Sequence, residues 1–334
     1  MNLLVLGGTQ FVGRHIVQEA VNRGHTVTLF NRGKSDNPFP ELESLTGDRN
    51  DDVAALEGKS WDVVVDCSGY TPKQVELSAI ALKNNVQHYA FISSLSVYKD
   101  FLEPAKDEFI KEGDEVLILE KPTDEVTNES YGALKALSEN KLLETFPKAF
   151  ILRPGLVVGP FDHTDRFTYF PWRIAQGGEV VVPDASQQAI QYIDARDLAA
   201  FTLDGVESQL SGTYNVVVSP ETYTFGDLLE LSQKLSGSDT TLIKVTAEFL
   251  EAQDVELTKL LMYVPNSYLN MTRASNTRAL QAGLQPRSLE DTVKATLQYA
   301  ATFSDDYELK SGLSRTREAE LLQAWANAER GSAS

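Results

Sequence analysis

Short apolar runs alternate with helical patterns through the first half of the chain. Five runs are strand-like, and several are apolar throughout, as expected for parallel strands buried on both faces of a sheet. They cover residues 2–6, 26–30, 61–66, 88–93 and 149–153. Helices are predicted between them at 11–23, 72–84 and 129–146. This order predicts an α/β fold with a doubly wound, Rossmann-like parallel sheet.

The regular alternation breaks near Gly155. Beyond it, strands are predicted at 179–182, 191–193 and 213–218, and helices at 195–206, 225–235, 272–281 and 289–303. A last helix, 315–328, places Ala319, Leu322, Trp325 and Ala326 on one face, which suits packing on the body or on a partner. We expect a dinucleotide-binding domain over residues 1–154 and a smaller C-terminal α/β substrate lobe over 155–334.

The charge balance limits the partners. The 334 residues include 48 acids and 30 bases, for a net charge of −18, which argues against nucleic acid and anionic membrane surfaces. No apolar stretch approaches the length that spans a membrane. The one cysteine, Cys67, ends an apolar run and is interpreted as a structural thiol, while the opening residues 1–8 are interpreted as a first strand rather than a signal peptide. A cytoplasmic protein is the simplest inference.

A glycine-rich turn joins the first strand to the first helix. Such a turn directs backbone N–H groups and the helix N-terminus at an anion, with Gly7 allowing the tight turn and Gly13 allowing close packing of the helix. We therefore expect dinucleotide binding here, and a tight turn without a ligand is the alternative. The candidate residues are Gly7, Thr9, Gln10, Phe11, Val12 and Gly13.

The end of the second strand bears on the cofactor type. NAD sites usually carry an acid there, whereas this strand runs into Asn31, Arg32, Gly33 and Lys34. Arg32 could pair with a 2′-phosphate, and Arg14 could add a further cation. These residues favour NADP(H), with NAD as the alternative. Asp48 is a candidate acceptor for the adenine amino group, or simply an exposed turn aspartate.

Tyr131 and Lys135 lie one turn apart on one face of a predicted helix. A free phenol has a pKa near ~10, and a nearby ammonium would stabilise the phenolate and lower that pKa. A pair on a helix surface is the simpler alternative. The combination with the glycine turn and with Ser93, Ser94, Ser96 and Tyr98 at the end of a strand favours a catalytic pair.

These motifs together resemble the extended and atypical short-chain dehydrogenase/reductases, the NAD-dependent epimerase/dehydratase family, and within it a GGT-x-F-x-G subgroup. The shared segments are GGTQFVG (7–13), SSLSVY (93–98), YGALK (131–135), LRPGLVVGP (152–160) and YIDARDLA (192–199). The resemblance implies that Tyr131 is the acid/base and that Lys135 binds the nicotinamide ribose and lowers the tyrosine pKa. It also implies that Ser94 orients the substrate oxygen, and that a segment near 190–218 returns to the sheet.

Three positions depart from the family pattern. Gln10 replaces a glycine that approaches the pyrophosphate in the family. Leu156 and Ile190 stand where relatives that act on nucleotide sugars carry Asn and Arg. A buried diphosphate oxygen without a donor costs about 1–3 kcal/mol, so nucleotide sugars are disfavoured as substrates.

Residues 159–173 are rich in aromatic and charged side chains and are expected to face the substrate. His163 and Arg166 are the substrate candidates, together with Ser94 and Ser96, while Phe167, Phe170 and Trp172 are expected in the core. No cluster has metal-ligand spacing, so we predict no metal. Residues 99–128 carry ten acids and four lysines and are expected to be either a mobile lid or a solvated loop.

Several functions compete. The first is an NADP(H)-dependent oxidoreductase that transfers hydride to or from a small carbonyl or alcohol. The alternative is an epimerase or dehydratase acting on a sugar or sugar nucleotide, although Leu95 and Ser96 stand where sugar dehydratases carry Asp and Glu. The subgroup also includes relatives that resemble chloroplast stem-loop RNA-binding proteins, and a non-catalytic NADP sensor is a further reading. We expect a small-molecule substrate, no nucleic acid and no membrane, and leave a homodimer open.

Overall fold

The computed structural model describes residues 1–119, 121–257, 260, 262–304 and 306–332. The last two residues of the predicted substrate lobe, 333 and 334, lie outside the described residues. The strands are β1 (Asn2–Leu6), β2 (Thr26–Asn31), β3 (Glu43–Thr46), β4 (Trp61–Asp66), β5 (Val86–Ile92), β6 (Phe150–Pro154), β7 (Leu156–Val158), β8 (Glu179–Pro183), β9 (Ala189–Ile190), β10 (Tyr192–Asp194), β11 (Gly212–Val216), β12 (Tyr223–Thr224) and β13 (Thr241–Val245). The helices are α1 (Phe11–Asn22), α2 (Pro72–Leu82), α3 (Tyr131–Thr145), α4 (Tyr169–Ala175), α5 (Ala195–Glu207), α6 (Phe225–Ser236), α7 (Ala247–Ala252), α8 (Thr277–Gln281), α9 (Leu289–Ala300) and α10 (Arg315–Ser332).

Seven parallel strands form the central sheet in the order β11-β6-β5-β4-β1-β2-β3. The chain order reverses between β1 and β4, and the carboxyl edge at such a reversal is where open α/β sheets bind ligands. The predicted return of a late segment is confirmed, because β11 pairs with β6 and aligns Gly212 with Phe150. The predicted α/β class and the doubly wound, Rossmann-like sheet are confirmed.

Helices cover both faces of the sheet. Leu3 and Val5 of β1 face a core that includes residues of α1 and α5, whereas Leu4 and Leu6 face a core that includes residues of α2 and α3. This division follows from the alternation of side chains along a strand. It explains why the β1 sequence is apolar at consecutive positions, since both faces of the strand are buried.

Several local elements were missed in the prediction from the sequence, and two of the misses have a clear physical reason. β3 was not predicted, because its sequence ESLT has one apolar residue and the strand lies at the exposed edge of the sheet. The predicted helix over 272–281 is wrong in its first half, since α8 begins only at Thr277. Ala274 instead bridges to Ile110, and the Asn276 amide donates to the Val217 carbonyl at 2.8 Å, so these residues join the body in a non-helical conformation.

A smaller lobe holds a second hydrophobic core. It is formed mainly by α4, α6, α9 and α10 with the strand pairs β8–β13 and β9–β12. α10 packs on this lobe through Leu321, which is fully buried, and through Glu318, whose carboxylate lies 2.6 Å from the Arg173 guanidinium. The buried face therefore lies beside the predicted one, because Leu322 and Trp325 pack on the lobe while Ala319 is exposed. Within the described part of the chain, no helix is long and apolar enough to cross a lipid bilayer.

Candidate active site

A cleft of about 730 Å³ lies at the carboxyl edge of the central sheet. Its lining follows the ends of β1, β2, β4, β5 and β6, and includes parts of α1 and α3. The volume is within the usual range of small-molecule sites. The predicted residues that line it are Gly7, Thr9, Gln10, Phe11, Val12, Gly13, Asn31, Arg32, Asp48, Ser94, Ser96, Tyr131, Lys135, His163 and Arg166.

The glycine turn leaves the start of α1 open to the cleft. A Cβ atom on Gly13 would lie 2.1 Å from the backbone oxygen of Gly7, so the close packing of helix and turn requires glycine there. The N-cap residue, Gln10, makes no side-chain bond to the helix, and the first turn has no acidic residue. The first N–H groups of α1 and the positive end of its dipole are therefore available to an anion.

Arg32 and Lys34 stand at the predicted 2′-phosphate position. Both are exposed and line the cleft, and no described carboxylate is within ion-pairing distance of either. Asp48 accepts from the backbone N–H (3.0 Å) and the side-chain amide (2.7 Å) of Asn50, as an aspartate in a turn does. These bonds, assisted by the two cations, lower the pKa of Asp48.

Arg14 lies apart from the cleft-lining residues. Its guanidinium carbon is 3.7 Å from the centre of the Phe161 ring. The neighbouring His15 shares a 2.9 Å hydrogen bond between Nε2 and the Pro160 carbonyl. These side chains join α1 to the 159–168 segment, and the predicted cofactor contact of Arg14 stays a prediction.

Tyr131 and Ser94 meet at the cleft because α3 begins against the end of β5. A Cβ atom on Gly132 would lie 2.1 Å from the Ser96 carbonyl oxygen, so only glycine permits this approach. Burial and the nearby Tyr70 phenol raise the pKa of Tyr131, while a hydrogen bond with Ser94 and the charge of Arg166 act to lower it. The Ser94 hydroxyl also accepts from the Ser96 backbone N–H at 3.1 Å.

Lys135 lines the cleft and is almost fully buried. Its ammonium donates to the backbone carbonyls of Gly69 (2.8 Å) and Ile92 (2.7 Å) and lies 4.1 Å from the centre of the Phe91 ring. Burial lowers the pKa of Lys135 to about 8, against the opposing effect of the Asp66 and Glu139 carboxylates. The resemblance implied that Lys135 lowers the pKa of Tyr131. In this structure that pKa is raised, the effects that oppose the rise come from Ser94 and Arg166, and the lysine ammonium is held by backbone carbonyls instead.

A buried ion pair beside the cleft was not predicted. Arg49 makes two bonds of 2.6 Å to Asp66, and it also donates to the Ser68 hydroxyl at 3.2 Å. Tyr89 donates to the same carboxylate at 2.9 Å. The signal in the sequence was an acid at the carboxyl end of an otherwise apolar buried strand, where the ligand edge of a parallel sheet lies.

Tyr70 is the second residue that sequence reasoning missed. Its ring lines the cleft with 48% of its surface exposed, and its phenol influences the pKa of Tyr131. The Gln74 side chain accepts from the Tyr70 N–H at 3.0 Å, so the capping box of α2 holds this residue in place.

The predicted substrate segment divides into core and cleft. Phe167 and Phe170 are fully buried, as expected, and Trp172 is partly buried. His163 lies with its ring 6.2 Å from that of Phe11, and Arg166 donates through Nε to the Thr164 hydroxyl at 2.8 Å. Leu156 also lines the cleft, whereas Ile190 is buried in β9. No described group of three His, Cys or acidic residues could hold a metal.

Most of the predicted lid is attached to the body. Ile110 exchanges backbone hydrogen bonds of 2.8 Å with Arg273 and Ser275, and Val116 bridges to Tyr98. Residues 102–108 and 121–129 are exposed, but the Asn270 N–H donates to the Glu103 carbonyl at 3.1 Å and so attaches the first of these stretches to the body. The first part of the segment is therefore a docked loop, and the reading as a solvated loop fits the exposed part; residue 120 lies outside the described residues.

A sequence model of the NAD dependent epimerase/dehydratase family matches residues 3–216. The chain belongs to this family. The matched stretch runs from β1 to β11, so it contains the glycine turn, Ser94 and the Tyr131–Lys135 pair. Membership confirms the resemblance to this family that the sequence motifs indicate, while the GGT-x-F-x-G subgroup stays a prediction.

One curated relative is the chloroplast stem-loop binding protein of 41 kDa b from Arabidopsis thaliana. It is 28% identical over 253 residues, which cover 70% of this chain and 63% of the relative. The match therefore spans less than two thirds of that relative's length.

Several solved structures share the fold. A UDP-glucose 4-epimerase aligns with a TM-score of 0.67 at 15% identity, over 92% of this chain and all of its own. The UDP-N-acetylglucosamine 4-epimerase of Methanobrevibacter ruminantium M1, in complex with UDP-N-acetylmuramic acid, aligns with a TM-score of 0.67 at 20% identity. The alignment covers 90% of this chain and 98% of that one. The UDP-glucose 4-epimerase of Thermus thermophilus, in complex with NAD, aligns with a TM-score of 0.64 at 18% identity, over 90% of this chain and 99% of that one. At these identities the likeness establishes the fold.

The described cleft fits a nicotinamide dinucleotide. The uncapped start of α1 suits the diphosphate, and close packing at Gly13 leaves no side chain in its way. The cleft then continues from Arg32 past the ends of β4 and β5 to Tyr131. A ligand with phosphates at one end and a reactive ring at the other matches this order of residues.

Proposed function

We propose that the chain is an NADP(H)-dependent epimerase that oxidises a secondary alcohol of a sugar-like substrate and then reduces the carbonyl formed. The observation that carries this proposal is the meeting of the Tyr131 phenol and the Ser94 hydroxyl in the same cleft as the uncapped start of α1. The family and its structural neighbours favour this reading over the net reductase that the sequence alone ranked first.

The chain's own residues supply the acid/base chemistry. Tyr131 removes the proton from the substrate hydroxyl and later returns it, while the Ser94 hydroxyl holds the reacting oxygen. NADP held at the start of α1 and beside Arg32 would supply reversible hydride transfer. Because burial raises the pKa of Tyr131, its protonated form suits donation to a carbonyl, and the oxidising half-reaction is favoured at alkaline pH.

The preference for NADP over NAD is supported by charge. Arg32 and Lys34 are exposed at the end of β2, where a carboxylate would repel a 2′-phosphate. The charges of both cations act on the Asp48 carboxylate, which accepts a hydrogen bond from the Asn50 side chain. A 2′-phosphate would pair with two cations that no described carboxylate neutralises.

The substrate proposed is a sugar without a nucleotide. Leu156 offers no hydrogen-bond donor to the cleft, and Ile190 is 1% exposed in β9, so neither can bind a diphosphate. The same observation favours a second candidate, the net reduction of a small carbonyl compound, since it leaves room for substrates unrelated to nucleotide sugars.

The test mixes the wild-type protein with NADP⁺ and a panel of monosaccharides, sugar phosphates, UDP-sugars and simple alcohols. Proton NMR follows the appearance of an epimer, and absorbance follows NADPH. An epimer without net NADPH supports the epimerase, whereas NADPH formed in step with a ketone supports the second candidate. Turnover retained by Tyr131→Phe in either case would contradict the assignment of the acid/base.

The compartment and the assembly of the protein are also proposed. Cytoplasm remains the proposed location, supported by the single cysteine, Cys67, which leaves no intrachain disulfide to form. The Arabidopsis relative is named as chloroplastic, so fractionation of the source cells is the relevant test. The homodimer stays a prediction that light scattering can check.

A further inference from the structure

Arg166 is oriented by a relay that begins at a buried carboxylate. Asp162 is 1% exposed, and its Oδ1 accepts from the Thr164 hydroxyl at 2.6 Å and from the Thr164 N–H at 2.9 Å. The Thr164 hydroxyl in turn accepts from Arg166 Nε at 2.8 Å. Because the Thr164 hydroxyl donates its proton to Asp162, a lone pair of its oxygen is free to accept from Arg166. The Arg166 guanidinium is therefore held only through Nε.

The other edge of this guanidinium has no partner in the described chain. Arg166 lines the cleft, and no described carboxylate or carbonyl accepts from its two Nη groups. Its charge acts on the Tyr131 phenol, which locates it at the catalytic end of the cleft. A half-buried arginine with two unused donors side by side matches the geometry of a carboxylate or phosphate.

The segment that carries Arg166 is held rigidly from both sides. The Asp165 carboxylate accepts from the Tyr307 hydroxyl (3.1 Å) and the Lys310 N–H (3.1 Å), and the Ser311 hydroxyl donates to the Thr164 carbonyl at 2.8 Å. Asp165 adopts a φ of 57°, a left-handed conformation that is uncommon for residues other than glycine. A binding group on a fixed segment loses little conformational freedom when a ligand arrives.

The charges around the cleft are opposite to those of the whole protein. The net charge is −18, yet the described ionisable groups of the lining are five cations and one carboxylate, apart from the tyrosines, Cys67 and His163. These are Arg32, Lys34, Arg49, Lys135 and Arg166, with Asp48. Arg49 is paired with Asp66 and Lys135 is buried, so Arg166 is the free arginine at the Tyr131 end. A cleft of this kind concentrates anions.

We infer that the substrate carries an anionic group, a carboxylate or a phosphate, and that Arg166 binds it beside Tyr131. The inference rests on the proposed function and specifies its substrate class as acidic sugars. Thr164 is a positioning residue, since it acts through Arg166. Arg166 determines specificity, because a neutral sugar would leave its guanidinium without a partner.

Calorimetry of the NADPH-loaded protein tests this. The probes are glucuronate for the carboxylate, glucose 6-phosphate for the phosphate, glucose as the neutral reference and inorganic phosphate. We expect one anionic sugar to bind at least about tenfold more tightly than glucose, in keeping with a charge-assisted bidentate pair. Arg166→Gln should remove that difference and Thr164→Val should reduce it, while both leave NADPH affinity within about twofold. Lys294→Gln, which removes an exposed cation on α9, is the matched control and should change nothing.

Three results would overturn the inference: anionic sugars no tighter than glucose, unchanged anion binding in Arg166→Gln, or a loss of NADPH affinity in that variant equal to its loss of anion affinity. The last result would assign Arg166 to the phosphates of the cofactor. Arg166→Lys keeps the charge and serves if the glutamine variant does not fold. Tyr131→Phe should bind the anions as wild type does, so failure of the catalytic proposal is separable from failure of this one.

Discussion

Glu139 and Arg153 form a buried ion pair that fastens the catalytic helix to the sheet. The two N–O distances are 2.6 and 2.9 Å, and the side chains are 5% and 7% exposed. Glu139 also accepts a short hydrogen bond from the Ser93 hydroxyl, next to Ser94. The pair thus ties α3, which carries Tyr131, to β6 and to the end of β5.

Glu139→Gln should therefore destabilise the protein by roughly 3 kcal/mol, because it leaves the charge of Arg153 buried without a counterion. Urea unfolding measures the change. The control is Lys141→Gln on the same helix, whose partners Glu76 and Glu144 are exposed, and it should cost less than about 1 kcal/mol. Equal losses of unfolding free energy in the two variants would contradict the stabilising role assigned to the buried ion pair.

The buried ammonium of Lys135 should make stability depend on pH. Its pKa is lowered to about 8, so between pH 8 and 10 the unfolded chain binds more protons than the folded one, and stability rises with pH. Lys135→Met lacks this group. From pH 7 to pH 10 the free energy of unfolding of wild type should gain roughly 1–3 kcal/mol relative to the variant. Parallel pH profiles of the two proteins would contradict the assignment.

Arg32 should control the choice between the two dinucleotides. Arg32→Ala should weaken NADPH binding by about tenfold and leave NADH almost unchanged, since only NADPH carries the 2′-phosphate. Fluorescence titration measures both affinities. Lys59→Ala removes a cation paired with Glu43 outside the cleft lining and serves as the control. If wild type binds NADH as tightly as NADPH, the assigned preference is wrong.

The sequence predicted the sheet because its strands are apolar on both faces and are separated by helices. Strand β1 matches its predicted bounds, and β11 was predicted as a returning strand through the family resemblance. β3 escaped because an exposed edge strand needs few apolar residues. The non-helical residues before α8 escaped because contacts with Ile110 and Val217, far away in the chain, override a local helical pattern.

In the site, the residues on motifs were predictable and their partners were not. Tyr131 and Ser94 meet as expected, since both lie where motifs place them at the carboxyl edge of the sheet. Arg14 contacts Phe161, 147 positions later, and Arg49 contacts Asp66. Such pairs join separate segments, so no local periodicity encodes them.

The most direct test of the central claim, a catalytic dinucleotide site at Tyr131 and Lys135, is the titration of NADPH into three proteins. Tyr131→Phe should bind NADPH as wild type does, because the ring still fills its place. Lys135→Ala should bind at least about tenfold more weakly, since a charged donor to the bound ribose is lost. Thermal melts verify that each variant is folded. NADPH affinity of folded Lys135→Ala equal to that of wild type would contradict the account and remove the active site from this cleft.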